Sequence, residues 1–277
     1  VALLDGGLGQ EIYRRAREVS SPLWSVAVMR EQPEVVTDVH ADFIRAGART
    51  LTLNTYAATP TRLAREGLGD EIGAIHQRAF EVLERAIAIT GATVDIAGCL
   101  PPLVGSYRSQ PDVFLIETMT NSLEAKAACA AAGESGKPFG VAFRLETDGK
   151  LRSGETLAEA VEAVKPFGPT AVMLNCCDPE VISQAMPELA GLFPCTGGYA
   201  NAFKTVEPMA GGSLVDELEA RPDISPAVYG LQVKQWLGDG ASVVGGCCEI
   251  TPEHIRHLAD VVAGDYDLVP FSALAGT

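Results

Sequence analysis

Two cysteine groups carry the chemistry legible in this chain. Asn175-Cys176-Cys177 precedes Asp178-Pro179, and Gly245-Gly246-Cys247-Cys248 precedes Thr251-Pro252. Both lie where a strand pattern gives way to a helix start. Thiolates suit zinc, which accepts tetrahedral sulfur coordination at about 2.3 Å. Three protein sulfurs would leave a fourth position for a substrate thiol, held as a thiolate and so ready for alkylation at neutral pH. The Gly245-Gly246 pair would let the backbone bend so that both following sulfurs face one metal. Adjacent cysteines on such a turn have no obvious packing purpose. Within the first group, alternation along a strand lets only one of Cys176 and Cys177 face inward. Cys99 and Cys129 fall inside apolar patterns and read as small buried hydrophobes. Cys195, in the pattern between the two groups, reads the same way or as a neighbour of the site. His40 and His76 lie in helix patterns. His254 and His257, three apart on one helix face, read as a solvated pair rather than as ligands.

The elements that must position these sulfurs alternate from end to end. Strand patterns fall near Ala2–Leu4, Thr50–Asn54, Thr93–Ala97, Val113–Glu117, Phe139–Phe143, Ala171–Asn175, Phe193–Thr196 and Ser242–Val244. Helix starts are marked by Asn121-Ser122-Leu123-Glu124, by the capping box Thr156-Leu157-Ala158-Glu159, and by Asp178-Pro179, Ser225-Pro226 and Thr251-Pro252. Gly47, Gly91 and Gly133 read as stops. Strands alternating with helices imply parallel βαβ units, and eight of them predict an α/β fold of the closed (β/α)8 TIM-barrel type. No Gly-x-Gly-x-x-Gly turn or P-loop supports an open nucleotide-binding sheet. Active sites of barrels form at the C-terminal ends of the strands, so both cysteine groups are expected on one rim. The connection Gly98–Asp112 holds three prolines and no helical period. One crossover near residues 108–111 is therefore expected to be shortened, or a segment there to be missing. Nothing else breaks the pattern, and residues 1–277 read as one barrel domain.

Composition sets the remaining limits. With 21 Lys+Arg against 36 Asp+Glu, the net charge of -15 argues against nucleic acid as a partner, because phosphate contacts need a cation surplus. No apolar run approaches the length of a transmembrane helix. The first residues lack a signal-peptide pattern, so a cytoplasmic protein with reduced cysteines is expected. An odd count of seven cysteines fits a disulfide framework poorly.

The chain resembles the zinc-dependent homocysteine S-methyltransferases. The resemblance covers Asp5-Gly6-Gly7-Leu8-Gly9-Gln10-Glu11, Pro22-Leu23-Trp24-Ser25, Asn54-Thr55-Tyr56, Glu117-Thr118, Asn175-Cys176 and Tyr199-Ala200-Asn201-Ala202. It ends with Gly245-Gly246-Cys247-Cys248 and Thr251-Pro252-Glu253-His254. It implies a single barrel, a Zn2+ cofactor, and Cys176, rather than Cys177, as third ligand beside Cys247 and Cys248. The small-molecule substrates would be homocysteine and an onium donor such as S-methylmethionine or betaine, since folate-dependent members work alongside additional domains. Asp5 and Glu117 would then bind the substrate amino group, and Gly6 and Gly7 its carboxylate through backbone N–H groups. Trp24, Tyr56 and Tyr199 would line the donor pocket, with Asn54 and Asn175 contacting substrate or fixing loops, and Asn201 orienting its neighbours. Glu249 stands where many members carry glycine. A homo-oligomer is compatible with this reading.

Two other readings stay open on sequence alone. One is a barrel lyase with structural cysteines, although Lys126, Lys137, Lys150, Lys165, Lys204 and Lys234 fall mostly on helices or loops. The other is a non-catalytic zinc-binding or thiol-sensing barrel with a closed fourth position.

Overall fold

A computed structural model describes residues 1–17, 21–99, 111–204 and 218–276. Eight strands form one all-parallel sheet: β1 (Ala2–Leu3), β2 (Thr50–Thr52), β3 (Asp95–Gly98), β4 (Val113–Met119), β5 (Phe139–Phe143), β6 (Ala171–Asn175), β7 (Thr196–Tyr199) and β8 (Ala241–Val244). Each strand pairs with its sequence neighbour, and β1 pairs with β8. A bridge between Leu4 and Thr50 joins β1 to β2, so the sheet closes on itself. This is the expected TIM barrel.

Ten helices surround it among the described residues: α1 (Leu8–Arg15), α2 (Ser25–Glu31), α3 (Pro33–Arg45), α4 (Pro60–Arg65), α5 (Ile72–Thr90), α6 (Ser122–Glu134), α7 (Leu157–Val164), α8 (Pro179–Leu192), α9 (Pro226–Gly238) and α10 (Pro252–Ala263). The capping signals act locally. The side chains of Asn121, Thr156 and Ser225 accept from Glu124, Glu159 and Val228 N–H groups, while Asp178 caps by position without such a bond. Gly91 ends α5 in a left-handed turn. Gly133 does not stop α6; that helix runs to Glu134, and the left-handed residue is Gly136.

Two apolar layers fill the structure. One lies between strands and helices. The other fills the barrel with Leu4, Leu115, Met173, Val243 and Tyr199, and Phe271 from the C-terminal segment plugs its lower end. The Phe271 N–H donates to Thr50 Oγ1 at 2.9 Å, and Ser272 ties to Asp95.

Two strand expectations shift. β3 runs Asp95–Gly98, slightly later than read, and β7 runs Thr196–Tyr199 rather than Phe193–Thr196. Phe193 caps α8, Pro194 offers no N–H, and Gly197-Gly198 hid the true strand because glycine carries little strand signal. Cys195 therefore precedes β7, at the end of the barrel near the Val1 amino group, and not beside the other cysteines. The shortened crossover expected near residues 108–111 lies, except for Pro111, outside the described residues. No described helix is long and apolar enough to cross a membrane.

Candidate metal and substrate site

The C-terminal rim gathers the residues singled out by type. Asp5 follows β1, Asn54 and Tyr56 follow β2, Glu117 lies near the end of β4, Asn175 ends β6, Tyr199 ends β7, and Cys247-Cys248 follow β8. All of them, with Gly6, Gly7, Trp24 and Cys176, line one cavity of about 370 Å³.

The sulfurs of Cys176, Cys247 and Cys248 lie within 4.8 Å of one another, with Cys247 and Cys248 at 3.9 Å. A tetrahedral metal with bonds of about 2.3 Å needs sulfur–sulfur separations of about 3.8 Å, so these three fit such an ion. Cys176 turns inward from a left-handed backbone, φ 55°, costly for a residue with a Cβ. Cys177 points into the wall. Its Sγ donates to Asn175 O at 3.2 Å and accepts from Leu145 N–H at 3.4 Å. Without a metal, thiol donors from Cys247 and Cys248 hold the Cys176 sulfur well below the usual thiol range.

A backbone lattice fixes this geometry. Cys247 N–H donates to Ala200 O, and Ala202 N–H to Cys248 O, both at 2.9 Å. Asn201 Nδ2 holds Cys176 O at 2.9 Å. Tyr229 of α9 donates to Gly245 O and accepts from Ala200 N–H, joining the β7 and β8 ends. Nothing in the sequence singled out Tyr229, since its position on α9 reads simply as apolar. His254 is buried rather than a solvated partner of His257. Its Nδ1 accepts from Thr251 N–H, and its Nε2 lies 2.9 Å from Ile224 O. His257 packs against Gly230.

Glycine is needed in the first turn for close approach. A Cβ at Gly6 would collide with Ile250 O, and one at Gly7 would lie 2.9 Å from Cys247 O. Gly7 N–H already donates to Ile250 O at 2.8 Å. The Gly7 N–H is thus engaged within the protein, and Gly246 N–H donates to Asp5 O at 2.9 Å, so the first turn packs against the cysteine turn. The two asparagines are likewise occupied. Asn54 is bonded both ways to Ser25, beside Trp24, and Asn175 both ways to Thr118. They position neighbours. Trp24 precedes α2, and its ring packs against Gly9 of α1 with its centroid 6.4 Å from that of Tyr13.

Two buried acids line the same cavity. Asp5 accepts from Thr52 N–H at 2.9 Å and from its hydroxyl. Burial raises Asp5 to about 8, and Thr52 only partly offsets it. Burial likewise raises Glu117 to about 7, against the opposing pull of Cys99 and Tyr199. The Tyr199 hydroxyl faces Glu117 without a well-formed hydrogen bond among the described residues. Cys99 is thus more than core filling; its place directly after β3 was the available signal. Gln10, Thr52, Thr118, Arg144 and Arg152 also line the cavity and had not been singled out. No lysine lines it among the described residues, which leaves a Schiff-base lyase without its nucleophile.

Glu249 adopts φ 64° and pairs with Arg14 of α1 at 2.9 Å. Its side chain thus tethers the cysteine turn to α1 at the cost of a strained backbone. Glu249→Ala is expected to lose the ion pair and keep the strain, whereas Glu249→Gly removes both. The glycine variant should be the more stable of the two by about 1 kcal/mol, read from denaturant melts. Equal stability would contradict this account of the turn.

The family model described as homocysteine S-methyltransferase matches residues 2–110 and 105–262, dividing at the connection between β3 and β4. Homocysteine S-methyltransferase 4 of Zea mays is 26% identical over 325 residues, covering 99% of this chain and 93% of that protein. Homocysteine S-methyltransferase of Escherichia coli (strain K12) is 25% identical over 305 residues, covering 93% and 94%. The metallated form of the homocysteine methyltransferase MmuM from Escherichia coli shares the fold, with a TM-score of 0.76 at 23% identity over 94% of this chain and 96% of that one. The matched stretches contain all three clustered cysteines, and the chain belongs to the homocysteine S-methyltransferase family.

Proposed function

We propose that this protein transfers a methyl group from a sulfonium or ammonium donor to the sulfur of homocysteine, giving methionine, with zinc as cofactor. The observation that carries the reading is the sulfur triangle of Cys176, Cys247 and Cys248, sized for a tetrahedral ion and open toward a cavity walled by acids. These three residues would hold the ion. Zinc, when bound, supplies a deprotonated substrate thiol at neutral pH, where a free thiol is only a few per cent ionised.

The chain's own residues do the rest. Asp5 and Glu117 take the substrate ammonium, and that cation offsets the burial cost of both carboxylates. Thr52 holds Asp5 from behind. Asn175, through Thr118, fixes the backbone next to Glu117. Trp24 and the exposed Tyr56 line the same cavity, where an aromatic face would attract an onium cation by roughly 0.5–2 kcal/mol. Tyr199 is buried beside Glu117 and belongs to the acceptor side. The thiolate attacks the methyl carbon as the donor's S–C or N–C bond breaks. The electron pair stays with the donor, which leaves as a neutral thioether or amine. The thiol proton passes to solvent. Alignment of the two substrates in one cavity removes much of the entropic barrier.

The test is direct. Zinc-loaded protein, homocysteine and a panel of methyl-deuterated onium donors should give labelled methionine by mass spectrometry. Chelation should stop the reaction. If no donor passes its label, the reading fails.

A further inference from the structure

Both cysteine groups hang on one short piece of the rim, residues 199–202. Toward the first group, Cys176 N–H donates to Tyr199 O at 3.2 Å and Asn201 N–H to Cys177 O at 3.1 Å. Asn201 Nδ2 adds its bond to Cys176 O. Toward the second group, Cys247 N–H donates to Ala200 O and Ala202 N–H to Cys248 O, both at 2.9 Å. The Ala200 N–H goes to neither group. It donates to the Tyr229 hydroxyl at 3.0 Å, and that hydroxyl donates to Gly245 O at 2.8 Å, two residues before Cys247. One oxygen thus ties the segment that braces all three sulfurs to the start of the turn that presents two of them. Ala200, Tyr229 and Gly245 are all buried, so neither backbone group has solvent as a substitute partner.

The ring behind the hydroxyl is itself held. It meets Trp236 edge to face at 5.9 Å and 88°, and His254 at 6.1 Å and 79°. His254 is pinned in turn by Ile224 O and by Thr251 at the start of α10. A phenylalanine at 229 would keep the ring and leave one buried donor and one buried acceptor unpaired. Those two groups could recover only by closing the gap that the oxygen fills, and that movement would carry the Cys247-Cys248 turn with it. A tetrahedral thiolate site fixes its sulfur separations closely, so such movement costs metal affinity. We propose that Tyr229 is a positioning residue for the metal: its hydroxyl sets Cys247 and Cys248 against Cys176, and with that the affinity for zinc. The inference rests on the zinc of the reading above and not on the identity of the methyl donor.

Zinc affinity, measured by competition with a chromophoric chelator, tests this apart from turnover. Tyr229→Phe should bind zinc about ten- to a hundredfold more weakly than the native protein. Val233→Ala, one turn along α9 and equally buried in the apolar layer, is the control. It should lower the melting temperature of the metal-free protein at least as much, yet leave zinc affinity within about twofold. Unchanged affinity in Tyr229→Phe would overturn the proposal. So would an equal loss in Val233→Ala, which would make the effect one of general stability. Should Tyr229→Phe fail to fold, amide exchange in the native protein decides. Zinc should slow exchange at Ala200 by about tenfold, because coupling between these bonds and the metal acts both ways. No slowing would overturn the proposal. A native protein without zinc affinity would end this proposal and the methyl-transfer reading together. One that shows the expected zinc loss in Tyr229→Phe yet passes no methyl group to homocysteine would count against that reading and leave the role of Tyr229 standing.

Discussion

Cys247→Ala is expected to strip metal and activity together. The three sulfurs form one triangle, and two of them cannot hold an ion with a thiolate site's affinity. Metal content should fall from stoichiometric to trace. Methyl transfer should fall by roughly a thousandfold or more, since both thiolate formation and alignment are lost. Cys248→Ala and Cys176→Ala should behave alike. Cys177→Ala is the informative contrast. Its sulfur is bonded to Asn175 O and Leu145 N–H in the wall, so metal and activity should persist with only a modest loss of stability. Metal loss in Cys177→Ala with retention in Cys176→Ala would reverse the assignment.

Glu117→Gln is expected to trade binding for stability. Charge-assisted hydrogen bonds contribute about 1.5–3 kcal/mol, so the KM for homocysteine should rise roughly ten- to a hundredfold with metal retained. The metal-free, substrate-free protein should melt higher than the native one at pH 8. The sign follows from linkage. Burial places Asp5 at about 8 and Glu117 at about 7, both above their unfolded values. The unfolded chain therefore loses these protons first. The stability that the two neutral acids contribute is whole below the ordinary carboxylate range, and it is lost as pH rises to 7 and then 8. Glu117→Gln and Asp5→Asn should each flatten that slope. An unchanged slope, or an unchanged KM, would contradict the role given to these acids.

Much of this site was legible because its chemistry is carried by residue type at strand ends. Adjacent cysteines after a glycine pair, on a pattern of eight alternating units, place sulfurs on one rim by sequence pattern alone. What sequence could not supply is direction. Asn54 and Asn175 look like substrate contacts by type, yet each spends its amide on a neighbour's backbone and hydroxyl. Gly6 and Gly7 look like a carboxylate cradle, yet the Gly7 N–H is used and the missing Cβ atoms admit another turn. β7 escapes a pattern reading because Gly197, pressed against Val243 of β8, and Gly198, pressed against Ile182, Met186 and Trp236 of the helices, replace the β-branched residues that mark a strand. Tyr229, Arg144 and Arg152 reach the site from elements whose local patterns are unremarkable, and only the closed barrel brings them there. Long-range position, rather than local propensity, is the part a single sequence hides.

The central claim is a three-sulfur site with one open position that a substrate thiol fills. X-ray absorption of the zinc-loaded protein, recorded without and with homocysteine, counts the sulfur ligands directly. The expected result is three sulfurs alone and four with homocysteine, at about 2.3 Å. Four protein sulfurs before substrate is added, or a count that homocysteine does not change, would contradict it.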